Sequence, residues 1–137
     1  MHMVKTILGT RIQWYQPNGW LFEPVIVGPD TIEYTVKEGP HAGRHAVQPT
    51  HYHRIAPGIE FTSWYEEVGT VVNIIWYLES QTTHRFAALP AWAGKDLSVL
   101  IGDNRDPAYL DRVGELARTK SDGPRRILAD DGHFNLL

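Results

Sequence analysis

The sequence predicts a single domain, residues 1–137, built as a mainly β fold: a small antiparallel β-barrel with one α-helix in its C-terminal half. Short apolar segments separated by turn residues recur over most of the chain, which is typical of a small barrel. One of these segments carries apolar residues on both faces. The apolar spacing changes to a helical period only near residue 106. A chain of 137 residues is long enough for one core and one pocket that holds a small ligand.

The first three strands are separated by turn residues. They are predicted over residues 11–16, 20–27 and 31–37. Pro17-Asn18-Gly19 is a turn because asparagine and glycine tolerate the positive φ of a tight hairpin. Pro24 lacks a backbone donor, which predicts an edge or a bulge in the second strand. The third strand alternates most cleanly, so we expect a buried face formed by Ile32, Tyr34 and Val36.

A loop rich in glycine and proline, residues 38–44, leads into the middle strands. They are predicted over residues 45–47, 51–55, 59–66 and 70–78. Pro57-Gly58 turns the chain into the third of these, and Glu67-Val68-Gly69 turns it into the fourth. The fourth has apolar residues on both faces, which fits a curled sheet with the barrel interior on one side and a covering element on the other.

The C-terminal part combines further strands with the helix. Two strands are predicted over residues 85–89 and 97–101. Asp106 is a good N-cap and Pro107 suits the first helical position, so the sequence predicts a helix over about 107–119. Residues 121–124 (SDGP) end this helix. The remaining segment, 125–137, is predicted to form a terminal hairpin around Asp130-Asp131-Gly132.

Composition excludes several classes of function. With 42% hydrophobic residues, 21% charged residues and a formal net charge of −3, the chain has the composition of an ordinary soluble protein and no basic patch for nucleic acid. The absence of cysteine removes disulfides, thiol nucleophiles and thiolate metal sites. No apolar leader or long apolar segment is present, so we expect a cytoplasmic protein with no membrane partner.

The histidines raise the question of a metal site. His51-x-His53 places two rings on one face of a strand, and a cupin-like site would need Glu60 and His84 as its other ligands. The separation of His53 from Glu60 is too long for that pattern, so we expect solvated or hydrogen-bonded histidines and no metal. The sequence also lacks a nucleophile elbow and a glycine-rich phosphate loop.

The chemistry that remains is a pair formed by a carboxylate and a guanidinium. Glu66 shares one face of its strand with Glu60, Thr62 and Trp64. Such a carboxylate is either solvated at an edge or held in a pocket, where loss of solvation favours its protonated form and suits it to proton transfer. Arg44, at the end of the glycine-rich loop, is either a solvated loop residue or a fork that holds a planar carboxylate through two parallel hydrogen bonds.

Several short motifs, in order and at near-equal spacing, resemble the bacterial phenolic acid decarboxylases over residues 7–95. These motifs are Gly9-x-x-Ile12, Asn18-Gly19-Trp20, Thr31-Ile32-Glu33-Tyr34, Ala42-Gly43-Arg44, Ser63-Trp64-Tyr65-Glu66 with Gly69-Thr70, His84, and Leu89-Pro90-Ala91-Trp92. Together they carry more weight than any one of them alone. The resemblance implies a lipocalin-like or calycin-like β-barrel, a homodimer, and cofactor-free decarboxylation of 4-hydroxycinnamic acids to vinylphenols.

The resemblance also implies roles for individual residues. Glu66 would donate the proton and Arg44 would orient the substrate carboxylate. The substrate-binding positions that it implies are Trp14, Gln16, Phe22, Tyr34, Trp64 and His84. Two family tyrosines on the first strand, which hydrogen-bond the end of the substrate, are replaced here by Trp14 and Gln16, and a third, on the second strand, by Phe22. We therefore expect a changed substrate. Two alternatives remain open: a related lyase or isomerase that uses the same proton-transfer pair, and a calycin-like binding protein without catalysis.

Overall fold

The computed structural model describes residues 5–17, 19–120 and 123–137, and its strands form a closed antiparallel barrel. The strands are β1 (Ile12–Gln16), β2 (Trp20–Gly28), β3 (Thr31–Glu38), β4 (His45–Ala56), β5 (Ile59–Tyr65), β6 (Val71–Tyr77), β7 (Thr82–Leu89) and β8 (Arg126–Leu136). Between β7 and β8 lie α1 (Ala91–Lys95), a 3-10 helix (Leu97–Leu100) and α2 (Pro107–Thr119). The predicted fold class, a small antiparallel barrel with one main helix, is confirmed.

Barrel closure depends on β8. Each strand pairs with its neighbours in chain order, and β8 pairs with both β7 and β1. Closure removes the open sheet edge that would otherwise invite pairing with another chain. The edge predicted at Pro24 is therefore wrong, because Pro24 pairs with Tyr34 of β3 and is buried. The irregular pairing of β2 lies on either side of it, at Leu21/Phe22 and Ile26/Gly28.

Alternation along the strands separates a buried interior from the outer wall. On β6, for example, Val72, Ile74 and Trp76 point inward and are buried. Trp76 donates its indole N–H to Thr62 Oγ1 at 2.9 Å, which satisfies its polar atom within the core. The expectation that β6 is buried on both faces is wrong, because the outward residues Val71 and Tyr77 are each 37% exposed.

The sequence predicted two separate strands, over residues 45–47 and 51–55, and this prediction is wrong. Residues 45–56 form one strand, whose first half pairs with β3 and whose second half pairs with β5. Pro49 is the last residue paired with β3, and the pairing with β5 begins at Thr50. Pro49, which has no N–H to donate, therefore lies at the point where β4 changes its pairing partner from β3 to β5.

Two predictions for the C-terminal part are also wrong. Residues 97–101 do not form a strand, because Asp96 accepts a hydrogen bond from the Ser98 backbone N–H and caps a 3-10 helix. The terminal hairpin predicted over 125–137 is one continuous strand, β8. Gly132 is not a turn residue there: a Cβ atom at this position would lie 2.3 Å from the Tyr15 carbonyl oxygen, so only glycine fits against β1.

The main helix forms as predicted. α2 spans Pro107–Thr119, and the Asp106 side chain accepts a hydrogen bond from the Ala108 backbone N–H at 3.0 Å. None of the helices in the described ranges is long and apolar enough to cross a membrane. Asn18 of the first predicted turn and Ser121-Asp122 of the predicted helix end lie outside the described residues.

Candidate active site

A cavity in the barrel interior collects most of the side chains that the sequence singled out. Trp14, Phe22, Tyr34, Trp64 and Glu66 all line it. Its wall is mainly apolar and aromatic, which suits the flat ring of an organic ligand. Glu66 brings a carboxylate to this wall, and it is only 7% exposed.

The turn after β5 fixes the position of Glu66. Its backbone N–H donates to the Thr70 carbonyl at 2.8 Å, and its carbonyl accepts from the Gly69 N–H at 2.9 Å. Gly69 adopts a φ of 92°, a left-handed conformation that favours glycine. Because this turn is closed by backbone hydrogen bonds, Glu66 continues the inward face of β5 instead of turning into solvent.

Two neutral donors hold one oxygen of the Glu66 carboxylate. Oε2 accepts hydrogen bonds from the Tyr34 hydroxyl at 2.5 Å and from the Trp64 indole N–H at 2.9 Å. Burial, and then the nearby charge of Glu66, raise the pKa of Tyr34 well above its ordinary value, so the phenol keeps its proton and acts as a donor. Within the described residues Oε1 accepts no hydrogen bond, so it is the oxygen that a ligand in the cavity could contact.

Arg44 is fully buried but does not line the cavity. Its guanidinium binds both oxygens of Glu67, at 2.6 Å from Nη1 and 3.1 Å from Nη2. It also donates to the Tyr109 hydroxyl at 2.8 Å and to the Tyr34 hydroxyl at 3.0 Å. Its Nη2 lies 3.7 Å from Glu66 Oε1. The guanidinium fork that was expected to orient the substrate carboxylate is therefore occupied by Glu67.

The ion pair between Arg44 and Glu67 is stably charged. Burial acts to raise the pKa of Glu67, but hydrogen bonds and charge from Arg44 and a hydrogen bond from Gln48 outweigh it and hold this pKa at about 2. Burial likewise opposes the charge of Arg44, yet the neighbouring Tyr34, Glu66 and Glu67 raise its pKa above the ordinary value. Arg44 is thus a permanent cation behind the cavity wall, where it fixes Glu67 and the hydroxyl of Tyr34.

Two of the predicted substrate-binding residues do not reach the cavity. Gln16 is buried, and neither atom of its amide group has a partner among the described residues, but it is not among the lining residues. His84 points outward from β7, where its side chain is 51% exposed and Nδ1 lies 2.7 Å from Asp131 Oδ1. His84 therefore lies outside the cavity in which it was expected, because strand alternation turns Thr83 and Arg85 inward and His84 outward.

The alternative metal site does not assemble. His51 and His53 lie on the exposed outer face of β4, with ring centroids 6.5 Å apart. Glu60 lies inside the barrel and accepts hydrogen bonds from the Thr6 hydroxyl and the Ile7 backbone N–H. Within the described ranges no cluster of three or more His, Cys, Asp or Glu side chains is placed to hold a metal ion.

Sequence reasoning missed two ionisable residues of the cavity wall, Arg85 and His41. Arg85 projects inward from β7, and its guanidinium lies 5.3 Å from the centre of the Trp20 ring. His41 lies in the loop after β3, and its Nδ1 accepts a hydrogen bond from the Trp20 indole N–H at 3.0 Å. This bond assigns the proton of the neutral ring to Nε2. Alternation along β7 would have identified Arg85, whereas His41 had no periodic signal.

We expect His41 to make the fold sensitive to mild acid. Burial, followed by the charges of Arg44 and Arg85, lowers the pKa of His41 from 6.5 to about 4. As the pH falls, His41 is therefore protonated in the unfolded chain before it is protonated in the folded one. The contribution of neutral His41 to the free energy of unfolding is complete above pH 6.5 and is lost as the pH falls towards about 4. The loss reaches about 3 kcal/mol.

Urea unfolding at a series of pH values measures this effect. In His41→Asn the amide oxygen can still accept from Trp20, but the side chain no longer titrates. The fall in the free energy of unfolding between pH 6.5 and about 4 should therefore largely disappear. His53→Asn, a change on the outer wall, serves as the matched control and should keep this fall. An unchanged fall in His41→Asn would contradict the assignment.

The sequence is similar to known proteins that are described as phenolic acid decarboxylases. The family described as phenolic acid decarboxylase (PAD) matches residues 4–128. The chain is 22% identical over 135 residues to "Phenolic acid decarboxylase PadC" of Bacillus subtilis (strain 168), covering 98% of this chain and 83% of that protein. It is 31% identical over 86 residues to "Probable phenolic acid decarboxylase" of Vibrio cholerae, covering 62% of this chain and 49% of that protein.

A solved structure supports the fold. The crystal structure of a "putative beta-lactamase" from Burkholderia vietnamiensis superposes with a TM-score of 0.64, covering 99% of this chain and 100% of that one. The two sequences are 13% identical, so the likeness concerns the barrel architecture alone.

Proposed function

Since the chain belongs to the phenolic acid decarboxylase family, we propose that it removes CO₂ from a small hydroxycinnamate-like acid, without a cofactor, by general acid/base catalysis in the barrel cavity. The observation that carries the proposal is the carboxylate of Glu66. It is buried in an aromatic cavity, with Oε2 held by Tyr34 and Trp64 and Oε1 left to exchange a proton.

The chemistry of a para-hydroxycinnamate fits such a group. Glu66 takes up a proton from solvent and gives it to the alkene carbon next to the substrate carboxylate, while the phenol releases its own proton to solvent, which forms a quinone methide. The bond to the carboxylate then breaks, its electron pair restores the alkene and the aromatic ring, and CO₂ and a vinylphenolate leave. The phenolate then regains a proton. Overall, one hydrogen replaces the carboxylate on carbon, and no oxidant or reductant is needed.

The walls of the cavity support a ring-shaped substrate. The Trp14 and Phe22 rings lie 4.8 Å apart between centroids, and Tyr34 and Trp64 lie 6.2 Å apart. Such side chains provide apolar area for an aromatic ring. By the sequence resemblance, Trp14 and Phe22 replace family tyrosines, and Trp14 donates its indole N–H to Thr83. We therefore propose a preference for a substrate different from that of a typical member.

A direct assay tests the function. Purified protein is incubated with p-coumarate, ferulate and caffeate, and the loss of cinnamate absorbance is followed together with CO₂ release. Turnover of at least one of these acids, with stoichiometric CO₂, is the expected result. Tight binding of an aromatic acid without CO₂ release would contradict the proposal and favour a binding protein of the same fold.

We also propose that two copies of the chain associate through the outer face of the barrel. Phe86 and Ile127 are 45% and 49% exposed, on the paired strands β7 and β8. Val71 on β6 pairs with Ala88, which pairs with Ile127, so apolar side chains continue across three strands. Exposed apolar area of this kind is typical of an association surface.

Light scattering coupled to gel filtration tests the association. The wild-type chain is expected to elute as a dimer, and the double variant Phe86→Lys with Ile127→Lys as a folded monomer, because buried lysines would be unpaired at the interface. Leu110→Lys on α2 is the matched control and should remain dimeric. A monomeric wild-type protein would rule out this association.

A further inference from the structure

We infer that Arg85, held by Asp130, binds the carboxylate of the substrate, so that the cavity selects a free acid over the corresponding ester or neutral phenol. The inference rests on the proposed function and names the group that recognises the substrate anion.

Arg85 is a buried cation on the cavity wall. It projects inward from β7 and is 4% exposed. Its Nε and Nη2 donate to the two oxygens of Asp130 on β8 at 2.9 Å and 2.6 Å. This bidentate contact fixes the plane of the guanidinium and offsets the cost of burying its charge. Arg85 also lies over the Trp20 ring, which limits its rotation further.

The contact with Asp130 leaves the other end of the guanidinium available. Asp130 uses the side that carries Nε, and among the described residues Nη1 makes no hydrogen bond. Nη1 and the second hydrogen of Nη2 form a fork that matches a second carboxylate. Arg44 offers no such fork, because Glu67 already occupies it. Of these two buried arginines, Arg85 is the one that lines the cavity.

A second donor lies beside the same tryptophan. The His41 ring packs edge-on against Trp20 at 5.6 Å between centroids and also lines the cavity. Because Nδ1 accepts the Trp20 N–H, Nε2 carries the proton and can donate to an anion. Trp20 therefore holds an arginine and a neutral histidine donor in one part of the cavity.

Among the described residues of β1 and β2 that line the cavity, none has a free donor for the carboxylate. Trp14 of β1 commits its indole N–H to Thr83, and Phe22 of β2 has no polar atom. The carboxylate of a ligand therefore finds its charge-assisted partner on β7. Glu66, at the end of β5, is left to act on the carbon skeleton of the same ligand.

Paired ligands that differ in the carboxylate test the inference. The quenching of tryptophan fluorescence gives dissociation constants for p-coumarate, its methyl ester and 4-vinylphenol. In Arg85→Gln, affinity for p-coumarate should fall by about 10- to 100-fold, while affinity for the two neutral ligands should change less than about 2-fold. Arg118→Gln on the exposed face of α2 is the matched control and should bind all three ligands like the wild type.

A double variant distinguishes the loss of the carboxylate contact from a loss of folding. Arg85→Gln leaves Asp130 without its cation, whereas Arg85→Gln combined with Asp130→Asn restores a neutral hydrogen-bonded pair. The double variant should fold, keep its affinity for 4-vinylphenol and show the same selective loss for the acid. Equal losses for acid and neutral ligands, no loss for any of them, or a wild-type protein that binds the acid no better than the ester would overturn the inference.

The same variants separate this inference from the proposed function. If the wild type binds p-coumarate selectively but releases no CO₂, the carboxylate site stands and the decarboxylase proposal fails. If the wild type turns over p-coumarate and Arg85→Gln does so with unchanged KM, the proposed function stands and the role of Arg85 fails. The expected result is a rise in KM of about 10- to 100-fold with a smaller change in kcat.

Discussion

Glu66→Gln is expected to lower kcat for p-coumarate by about 10²- to 10⁴-fold, the usual contribution of a general acid/base group. Glutamine keeps the size of the side chain, and its carbonyl oxygen can accept from Tyr34 and Trp64 as Glu66 Oε2 does. It has no acidic proton to give to the alkene carbon. The Michaelis constant should therefore change little, while the chemical step slows.

Steady-state kinetics with p-coumarate, together with a thermal unfolding curve, measures this effect. Glu79→Gln, on the exposed turn between β6 and β7, is the matched control and should retain wild-type kcat. If Glu66→Gln turns over the acid at a rate close to wild type, the proton does not come from Glu66.

Arg44→Met is expected to destabilise the fold by about 3–5 kcal/mol, the usual cost of removing one partner of a buried ion pair. Methionine fills part of the space but donates no hydrogen bond. Glu67 loses both of its contacts to the guanidinium, and the hydroxyls of Tyr34 and Tyr109 lose a donor. Equilibrium unfolding in urea measures the loss.

Two further variants separate this structural role from substrate binding. Arg44→Met combined with Glu67→Leu removes both charges and should recover much of the lost stability. Arg118→Met, on the exposed face of α2, should change stability by less than about 0.5 kcal/mol. An Arg44→Met protein with wild-type stability but much weaker acid binding would show that Arg44, and not Arg85, holds the substrate carboxylate.

The elements with local signals were predicted well from the sequence. α2 begins at Pro107 because Asp106 caps it, and no distant contact is needed to see this. β3 alternates so regularly that its buried residues Ile32, Tyr34 and Val36 follow from period two alone. The same alternation on β5 placed Glu66 on the inward face together with Trp64.

The elements that depend on distant partners were not predicted. Asp130-Asp131-Gly132 has the composition of a turn, yet Asp130 pairs with Arg85 and Gly132 lies against the backbone of Tyr15. Those contacts exist only once β8 closes the barrel. Without knowledge of closure, glycine and two carboxylates in a row favour a hairpin.

The candidate site was predicted in part for similar reasons. The motif match that identified Arg44 did not reveal Glu67 as its partner, because that pairing forms only in the folded barrel. The motif match also favoured His84, although alternation back from Leu89 places it on the outer face and Arg85 on the inner one. For β7, the alternation of inward and outward residues predicts the cavity residue correctly, and the motif match does not.

In the proposed reaction, the alkene carbon next to the carboxylate gains a proton before CO₂ leaves from it. Proton NMR of p-coumarate incubated with the protein in D₂O tests it most directly. The predicted result is 4-vinylphenol with one deuterium on its terminal carbon, formed in step with CO₂. Acid that stays unchanged in the presence of folded protein that binds it, or vinylphenol without deuterium on that carbon, would contradict the claim.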